Sequence, residues 1–353
     1  MSVSQDILTR LKEGQVIPAN PLALTCDLKL DEVHQRALAR YYLACGVGGL
    51  AVGVHTTQFK IHDPEVGLYQ PVLELAMSVV QEKTREVPPI LIAGICGKTG
   101  QAIKEAQLAK RLGYHFGMVS PTAFRTDPEE ELIEHHRRIS EIIPVMGFYL
   151  QPAGGGRFLS ETYWRKLLEI PNLVGIKVAA FNRYQTLDVL RALAESGRAD
   201  EVALYTGNDD SIVMDLLTPF QIRMSTGRMQ PLSFVGGLLG HWSCWTKKAV
   251  ELLEKIKAVR NQPILPVEML TLAAQVTESN EALFDPVHHF CGANPGVMYA
   301  LKQAGLVRGI YMLDDHEKLA PEQPEKIDRI RRDYPHMVDD DFVRNHLADW
   351  LRP

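Results

Sequence analysis

Two short apolar runs decide the fold: Pro144-Val145-Met146-Gly147-Phe148-Tyr149-Leu150-Gln151-Pro152, and further on Asn172-Leu173-Val174-Gly175-Ile176-Lys177. Each has the length and β-branched or aromatic content of a buried strand, and each ends on a single polar side chain followed by a turn. Outward from this pair, similar runs recur at Val16–Thr25, Gly49–Val54, Pro89–Ile95, His115–Ser120, Glu201–Thr206 and Leu232–Leu239, which brings the count to eight. Segments of helical periodicity lie between them. Asp31 opens one that ends at Gly46, Thr99 one that ends before Gly113, Asp127-Pro128 begins another, and one runs from Asn182 to Gly197.

Alternating strands and helices imply parallel pairing through crossovers. Eight such units fit a (β/α)8 TIM barrel, which typically takes about 250 residues. An open doubly wound sheet would produce much the same string. Met1–Gly14 reads as a short amphipathic helix carrying Ile7, Leu8 and Leu11, so the barrel is expected over residues 1–245. Beyond that point strand signals stop. Helical segments at 246–258, 264–278, 295–305, 323–332 and 340–351 predict a C-terminal helical region over 246–353.

Composition narrows the function classes. The 353 residues are 46% hydrophobic with a formal net charge of −5, which gives no general attraction to nucleic acid or to an anionic bilayer. No run approaches the roughly 20 apolar residues of a membrane span. Five scattered cysteines (Cys26, Cys45, Cys96, Cys244, Cys291) form no CxxC pair, which suits a reducing cytoplasm and speaks against a zinc site. Gly94-Ile95-Cys96-Gly97-Lys98-Thr99 has its first glycine too close to Gly97-Lys98 for a phosphate loop. The adjacent pairs His135-His136 and His288-His289 lack the spacing of a metal helix. No metal and no cofactor are expected, and the partner is a small molecule.

In a barrel, chemistry gathers where strands end at their C-terminal edge. Lys177 closes one run and Tyr149 another. To act as a nucleophile near neutral pH, a lysine amine must fall from about 10.4 to about 7–8, which costs the charged form about 4 kcal/mol and is within reach of burial. Thr56 and Thr57 follow Gly53-Val54-His55 and can turn peptide N–H groups toward an anion. Gly207-Asn208-Asp209-Asp210 can present amide and carboxylate groups to a polar substrate or cap the next helix.

Taken together, these residues resemble the dihydrodipicolinate synthase / N-acetylneuraminate lyase family of class I aldolases. The motifs that carry the resemblance are Tyr149-Leu150-Gln151-Pro152 at the family's usual interval before Gly175-Ile176-Lys177, with Ile92-Ala93-Gly94, Val119-Ser120-Pro121, Gly207-Asn208-Asp209 and Asn294-Pro295-Gly296 in order, over roughly residues 16–335. The resemblance implies a TIM barrel, a homo-oligomer (dimer or tetramer) and a keto-acid substrate such as pyruvate or a sugar-derived 2-keto-3-deoxy acid. It also implies that Lys177 is the Schiff-base lysine, Tyr149 the proton-relaying hydroxyl, and Thr56 with Thr57 the relay and carboxylate-binding pair.

This chain also departs from the family pattern. His55-Thr56-Thr57-Gln58-Phe59 stands where the family has Gly-Thr-Thr-Gly-Glu, and Pro121-Thr122-Ala123 lacks the second relay tyrosine. Gly154 replaces the synthase's arginine, with Arg157 nearby in a different register. Dihydrodipicolinate synthesis is therefore not expected. His55 and His241 are placed to enter the mouth and to supply the missing proton transfer. Two rival readings remain at this point: a metal-dependent barrel enzyme using His55, His241 and Asp209, and a catalytically silent barrel that binds a sugar acid.

Overall fold

The computed structural model describes residues 3–82 and 85–352, so Met1, Ser2 and Pro353 of the expected terminal segments lie outside the described residues. Seven strands come first: β1 (Val16–Pro18), β2 (Gly49–Val52), β3 (Ile90–Ile95), β4 (Phe116–Val119), β5 (Val145–Leu150), β6 (Leu173–Ala179) and β7 (Ala203–Thr206). An antiparallel hairpin of β8 (Phe220–Arg223) and β9 (Met229–Leu232) follows, and β10 (Gly236–Leu239) is the eighth strand of the main sheet. The parallel order is β1-β10-β7-β6-β5-β4-β3-β2.

A parallel bridge between Ala19 and Ala51 joins the two ends of this order, with Asn20 N donating to Ala51 O at 2.8 Å and Gly48 N to Val16 O at 3.2 Å. The sheet is therefore closed. This separates the barrel from the open doubly wound alternative, because an open sheet would leave β1 and β2 as edges.

Two strands are shorter than their apolar runs. β1 ends at Pro18, since Pro18 and Pro21 lack the N–H that a ladder needs. The chain beyond it is held by Gln35, whose Oε1 accepts from Ala23 N at 2.7 Å and whose Nε2 donates to Pro21 O at 2.9 Å. The expected strand Leu232–Leu239 is split, with Leu232 closing the hairpin and only Gly236–Leu239 entering the barrel. Gly227, at φ +82°, turns that hairpin.

Strand alternation sorts the side chains into two layers. Ile17, Ala51, Ile92, Phe116, Met118, Met146, Phe148, Ala179, Ala203 and Leu238 fill the barrel interior. Val52, Ala93, Val145, Tyr149, Ile176, Val178 and Leu239 face the helices. The amphipathic helix Gln5–Glu13 is capped by Ser4 and buries Ile7 and Leu11 in the interior cluster, where it plugs the N-terminal end.

The C-terminal helices Thr246–Val259, Glu268–Phe284, Ala293–Gln303, Gln323–Asp333 and Asp340–Trp350 pack into the same apolar core as the barrel helices. The last of these docks on the barrel helix Glu32–Cys45. Trp350 meets Tyr41 with ring centroids 5.5 Å apart, and Tyr41 Oη donates to Asp339 Oδ2 at 2.7 Å. Among the described residues, no helix is long and apolar enough to cross a membrane.

One close approach shapes the functional end. Gly94 of β3 backs directly onto the carbonyl of Gly53, so a Cβ at position 94 would lie 1.9 Å from that oxygen. Gly53 O also accepts from His62 Nε2 at 2.7 Å, and His62 Nδ1 pairs with the buried Glu105 at 3.0 Å. The turn after β2 is thus held from beneath. Gly94→Ala is expected to destabilise the protein by about 3 kcal/mol in urea denaturation, by forcing two backbones apart.

Candidate active site

β6 carries Lys177 into the barrel mouth. Its in-register neighbours are Phe148 on β5 and Tyr205 on β7, both interior residues, so the lysine shares the inner face. The side chain is only 5% exposed, and its Nζ lies 4.6 Å from the centre of the Phe148 ring. Gly207 makes the space for it. A Cβ at 207 would come within 2.5 Å of Lys177 Cε.

Burial drives the Lys177 amine well below the ordinary lysine value, opposed in part by the negative charge of Asp209. Asp209 is itself buried and raised well above the usual carboxylate range. Desolvation is the main cause. It is countered by a hydrogen bond from His241 N to Asp209 Oδ1 at 2.8 Å and by the nearby lysine. Each group therefore sits close to the balance between its charged and neutral forms at physiological pH, as acid–base catalysis requires.

Around this pair lies a narrow cleft of about 50 Å³, lined by His55, Thr56, Gln151, Asn294 and a set of phenylalanine and aliphatic side chains. Thr56 lies against Gly240. The half-buried His55 is held neutral, with its pKa lowered to about 4 by burial and by the neighbouring lysine. Asn294 Nδ2 donates to His55 O at 3.2 Å and to Glu317 Oε1 at 2.7 Å. Gln58 Nε2 donates to Tyr311 O at 3.2 Å, and its Oε1 accepts from Leu313 N at 2.6 Å. The turn bearing Thr56 is in this way fastened to the C-terminal region.

Of the residues expected from sequence, Lys177, Thr56, His55, Gly207 and Asp209 come together here. Four others do not line the cleft. Tyr149 is the main correction. It is one residue out of phase with the interior-facing Phe148 and Leu150, so it points into the helix layer. There it packs on Trp164 with centroids 5.3 Å apart, and its hydroxyl donates to Leu159 O at 3.4 Å. Burial also pushes its phenol up to about 12, far from a useful acid at neutral pH.

Thr57 is turned inward, where its hydroxyl accepts from Gly53 N at 3.0 Å and Val54 N at 3.2 Å and donates to Asn20 O at 2.6 Å. Its own N–H is bonded to Val54 O at 2.9 Å, so neither group is available to an anion. Asn208 supports the wall rather than lining it. Its Oδ1 accepts from Phe181 N at 2.9 Å, and its Nδ2 donates to Asp215 Oδ2 at 2.9 Å. His241 offers only its backbone to Asp209, while its ring lines a separate cavity with Trp242, Cys244 and Trp245.

The metal constellation of His55, His241 and Asp209 is therefore not assembled. Among the described residues, the group of three side chains with metal-binding atoms within 4.8 Å of one another is Asp285, His288 and Glu322, and His288 Nδ1 there already pairs with Asp285 at 2.8 Å. Sequence reading missed Phe148, Phe181, Phe284, Phe290 and the Asn294 and Gln58 ties. The aromatic wall comes from segments far apart in the chain.

Comparison with known proteins gives a consistent picture. The model of the Dihydrodipicolinate synthetase family matches residues 13–219. A 4-hydroxy-tetrahydrodipicolinate synthase of Symbiobacterium thermophilum is 24% identical over 272 residues, which cover 73% of this chain and 87% of that protein. Another from Cyanothece sp. is 34% identical over 209 residues, 58% of this chain and 66% of the relative. Among solved structures, N-acetylneuraminate lyase from Fusobacterium nucleatum complexed with pyruvate superposes with a TM-score of 0.70 at 18% identity, covering 92% of this chain and 98% of the other. Dihydrodipicolinate synthase from Acinetobacter baumannii complexed with pyruvate gives 0.71 at 22% identity, covering 91% and 98%. These two show the shared barrel.

Gly207→Ala tests the packing around the amine. The added methyl is expected to displace Lys177 and lower stability by roughly 1–3 kcal/mol, read from urea denaturation, with the Lys177 side chain shifted in a crystal structure of the variant.

Proposed function

We propose that this chain, which belongs to the dihydrodipicolinate synthetase family, is a class I aldolase or lyase that forms a Schiff base between Lys177 and a 2-keto acid. The single observation that supports this best is the buried Lys177 amine, lowered by desolvation beside a carboxylate that is raised by the same cause. The substrates named from sequence, pyruvate and the sugar-derived 2-keto-3-deoxy acids, share the 2-oxo acid end that meets the amine.

In this reading, Thr56 and the start of its turn receive the substrate carboxylate, which sets the ketone against the lysine. Neutral Lys177 attacks the carbonyl carbon. The carbinolamine oxygen takes a proton from Asp209 and leaves as water, and the resulting iminium withdraws electrons from the adjacent carbon. Asp209, now a carboxylate, accepts a proton from that carbon to give the enamine, and the same steps in reverse free the product. Asp209 thus does the work assigned from sequence to Tyr149. Its raised pKa suits a group that must give and take a proton near neutrality.

We assign the protein to the cytoplasm and to a homo-oligomer, a dimer or tetramer, as finer parts of the same reading. The five free cysteines suit a reducing compartment, and light scattering in solution measures the assembly.

Incubation with pyruvate and borohydride is expected to add mass to the peptide bearing Lys177, and Lys177→Ala abolishes the adduct. Absence of label on Lys177 with every 2-keto acid tested would favour the silent binding barrel.

The pH dependence follows from the directions of the two shifts. The nucleophile is the neutral amine and the acid is protonated Asp209, so the rate of adduct formation passes through a maximum: it rises as Lys177 loses its proton, below the ordinary lysine value of about 10.4, and falls as the raised Asp209 loses its own. Asp209→Asn removes the negative charge that raises the lysine, so the midpoint of that rise moves to lower pH. The same variant lowers kcat by about 10²–10⁴ through loss of proton transfer. A fall in kcat with an unmoved midpoint would argue for a structural role only.

A further inference from the structure

A second cavity, of about 450 Å³ against about 50 Å³ for the cleft at Lys177, lies between the first two C-terminal helices. The chain just after β10 separates the two spaces, with Gly240 lining the cleft and His241 the cavity. Trp242, Cys244 and Trp245 line the cavity beside His241, and all four are buried. Ala249 and Leu252 come from the helix Thr246–Val259, and Leu272 and Val276 from the helix Glu268–Phe284. We propose that this cavity is a ligand site for a small neutral aromatic molecule carrying one hydrogen-bonding group, a phenol in its simplest form. The inference does not depend on the Schiff-base reading.

The first observation is a polar group without employment. His241 is 8% exposed, and its backbone is fixed on both sides. Its N–H donates to Asp209 Oδ1 at 2.8 Å, and its carbonyl accepts from Cys244 N at 3.3 Å and Cys244 Sγ at 3.4 Å. The ring stands edge to face against Trp245, with centroids 6.2 Å apart. Among the described residues, neither ring nitrogen has a hydrogen-bond partner, and Nδ1 is sealed from solvent as well. Nε2 is therefore the nitrogen left to meet an occupant. Buried polar atoms are rarely left unpaired, because the lost hydration is not returned. Burial lowers this imidazole to about 4, so near neutrality one nitrogen donates and the other accepts. A hydroxyl satisfies Nε2 in either tautomer, since it can give or take the hydrogen bond.

The second observation is how the other polar side chains are spent. Glu251, Lys255, Glu268 and Thr271 stand exposed at the mouth. Lys248 pairs with Glu251 at 2.8 Å, and His336 Nε2 meets Gln275 Oε1 at 3.1 Å. Lys248 and Lys255 balance Glu251 and Glu268, so the lining has no net charge with which to draw in an ion. Deeper in, two indole rings and aliphatic side chains surround the one free imidazole. A charged ligand would lose its water there without replacement, whereas an aromatic ring gains contacts with both indoles. The volume is also in the range of small-molecule sites, which are mostly apolar with a few placed polar groups.

The full chain is titrated by calorimetry with 2-naphthol, and with 2-naphthoate as the charged counterpart of similar shape. The expected result is saturable binding of 2-naphthol with a Kd of about 0.1 mM, and about tenfold weaker binding of the carboxylate. Leu272→Trp fills the cavity and is expected to abolish saturation. His241→Phe keeps the ring shape and the backbone N–H, and is expected to weaken 2-naphthol about tenfold. Circular dichroism confirms that each variant is folded, and the two address different walls, so loss of fold in one leaves the other decisive. No saturable binding to the parent chain overturns the inference, as does equal or tighter binding of 2-naphthoate. Unchanged affinity in Leu272→Trp places the ligand elsewhere and overturns it too. Light scattering on the same samples covers the remaining occupant: if the parent binds nothing and Leu272→Trp alters the assembly state, the groove belongs to a second copy of the chain and the inference fails.

Discussion

A lysine amine removed from water, with one carboxylate in reach, is the interaction on which the rest of this site depends. Neither group is comfortable charged or neutral. Burial disfavours the ammonium and the carboxylate alike, while their mutual attraction favours both charged forms. The barrel maintains this balance with rigid parts: a parallel ladder on each side of β6, Gly207 leaving room for the side chain, and a backbone N–H fixed on Asp209. Such a frustrated pair is expensive for stability and useful for proton transfer.

The turn after β2 shows the same logic from below. His62 and Glu105 form a buried pair whose purpose is geometric, since His62 clamps the Gly53 carbonyl on which the Thr56 turn rests. Thr57 completes this support. Read as a second anion-binding residue, it is instead the internal brace that lets Thr56 face the cleft.

Much of this was legible from the chain alone. The eight apolar runs announced parallel βα units, though not their closure into a barrel, and Lys177 stood out as the polar residue after a buried apolar run that in the structure continues to Ala179. The flank after β7 announced Asp209 as a group near the substrate, although not its burial beside the lysine. What could not be read was phase. Tyr149 and Phe148 are neighbours in sequence and point to opposite faces, and the ladder with β6, which includes an irregularity after Val145, decides which one meets the lysine. The hairpin of β8 and β9 was hidden because its second strand runs on toward β10 in one apolar stretch. The aromatic wall was hidden for a different reason: Phe284 and Phe290 lie in a region that periodicity describes only as helices.

Gln58 and Asn294 also bear on the order of assembly. Both fasten the turn bearing Thr56 to residues much later in the chain, at Tyr311, Leu313 and Glu317. During synthesis, the strands of the barrel leave the ribosome long before those anchors exist. A nascent chain can therefore wind its barrel while the turn is still unfastened, and the ties arrive only once Asn294, Tyr311, Leu313 and Glu317 have emerged, after the scaffold has had time to form.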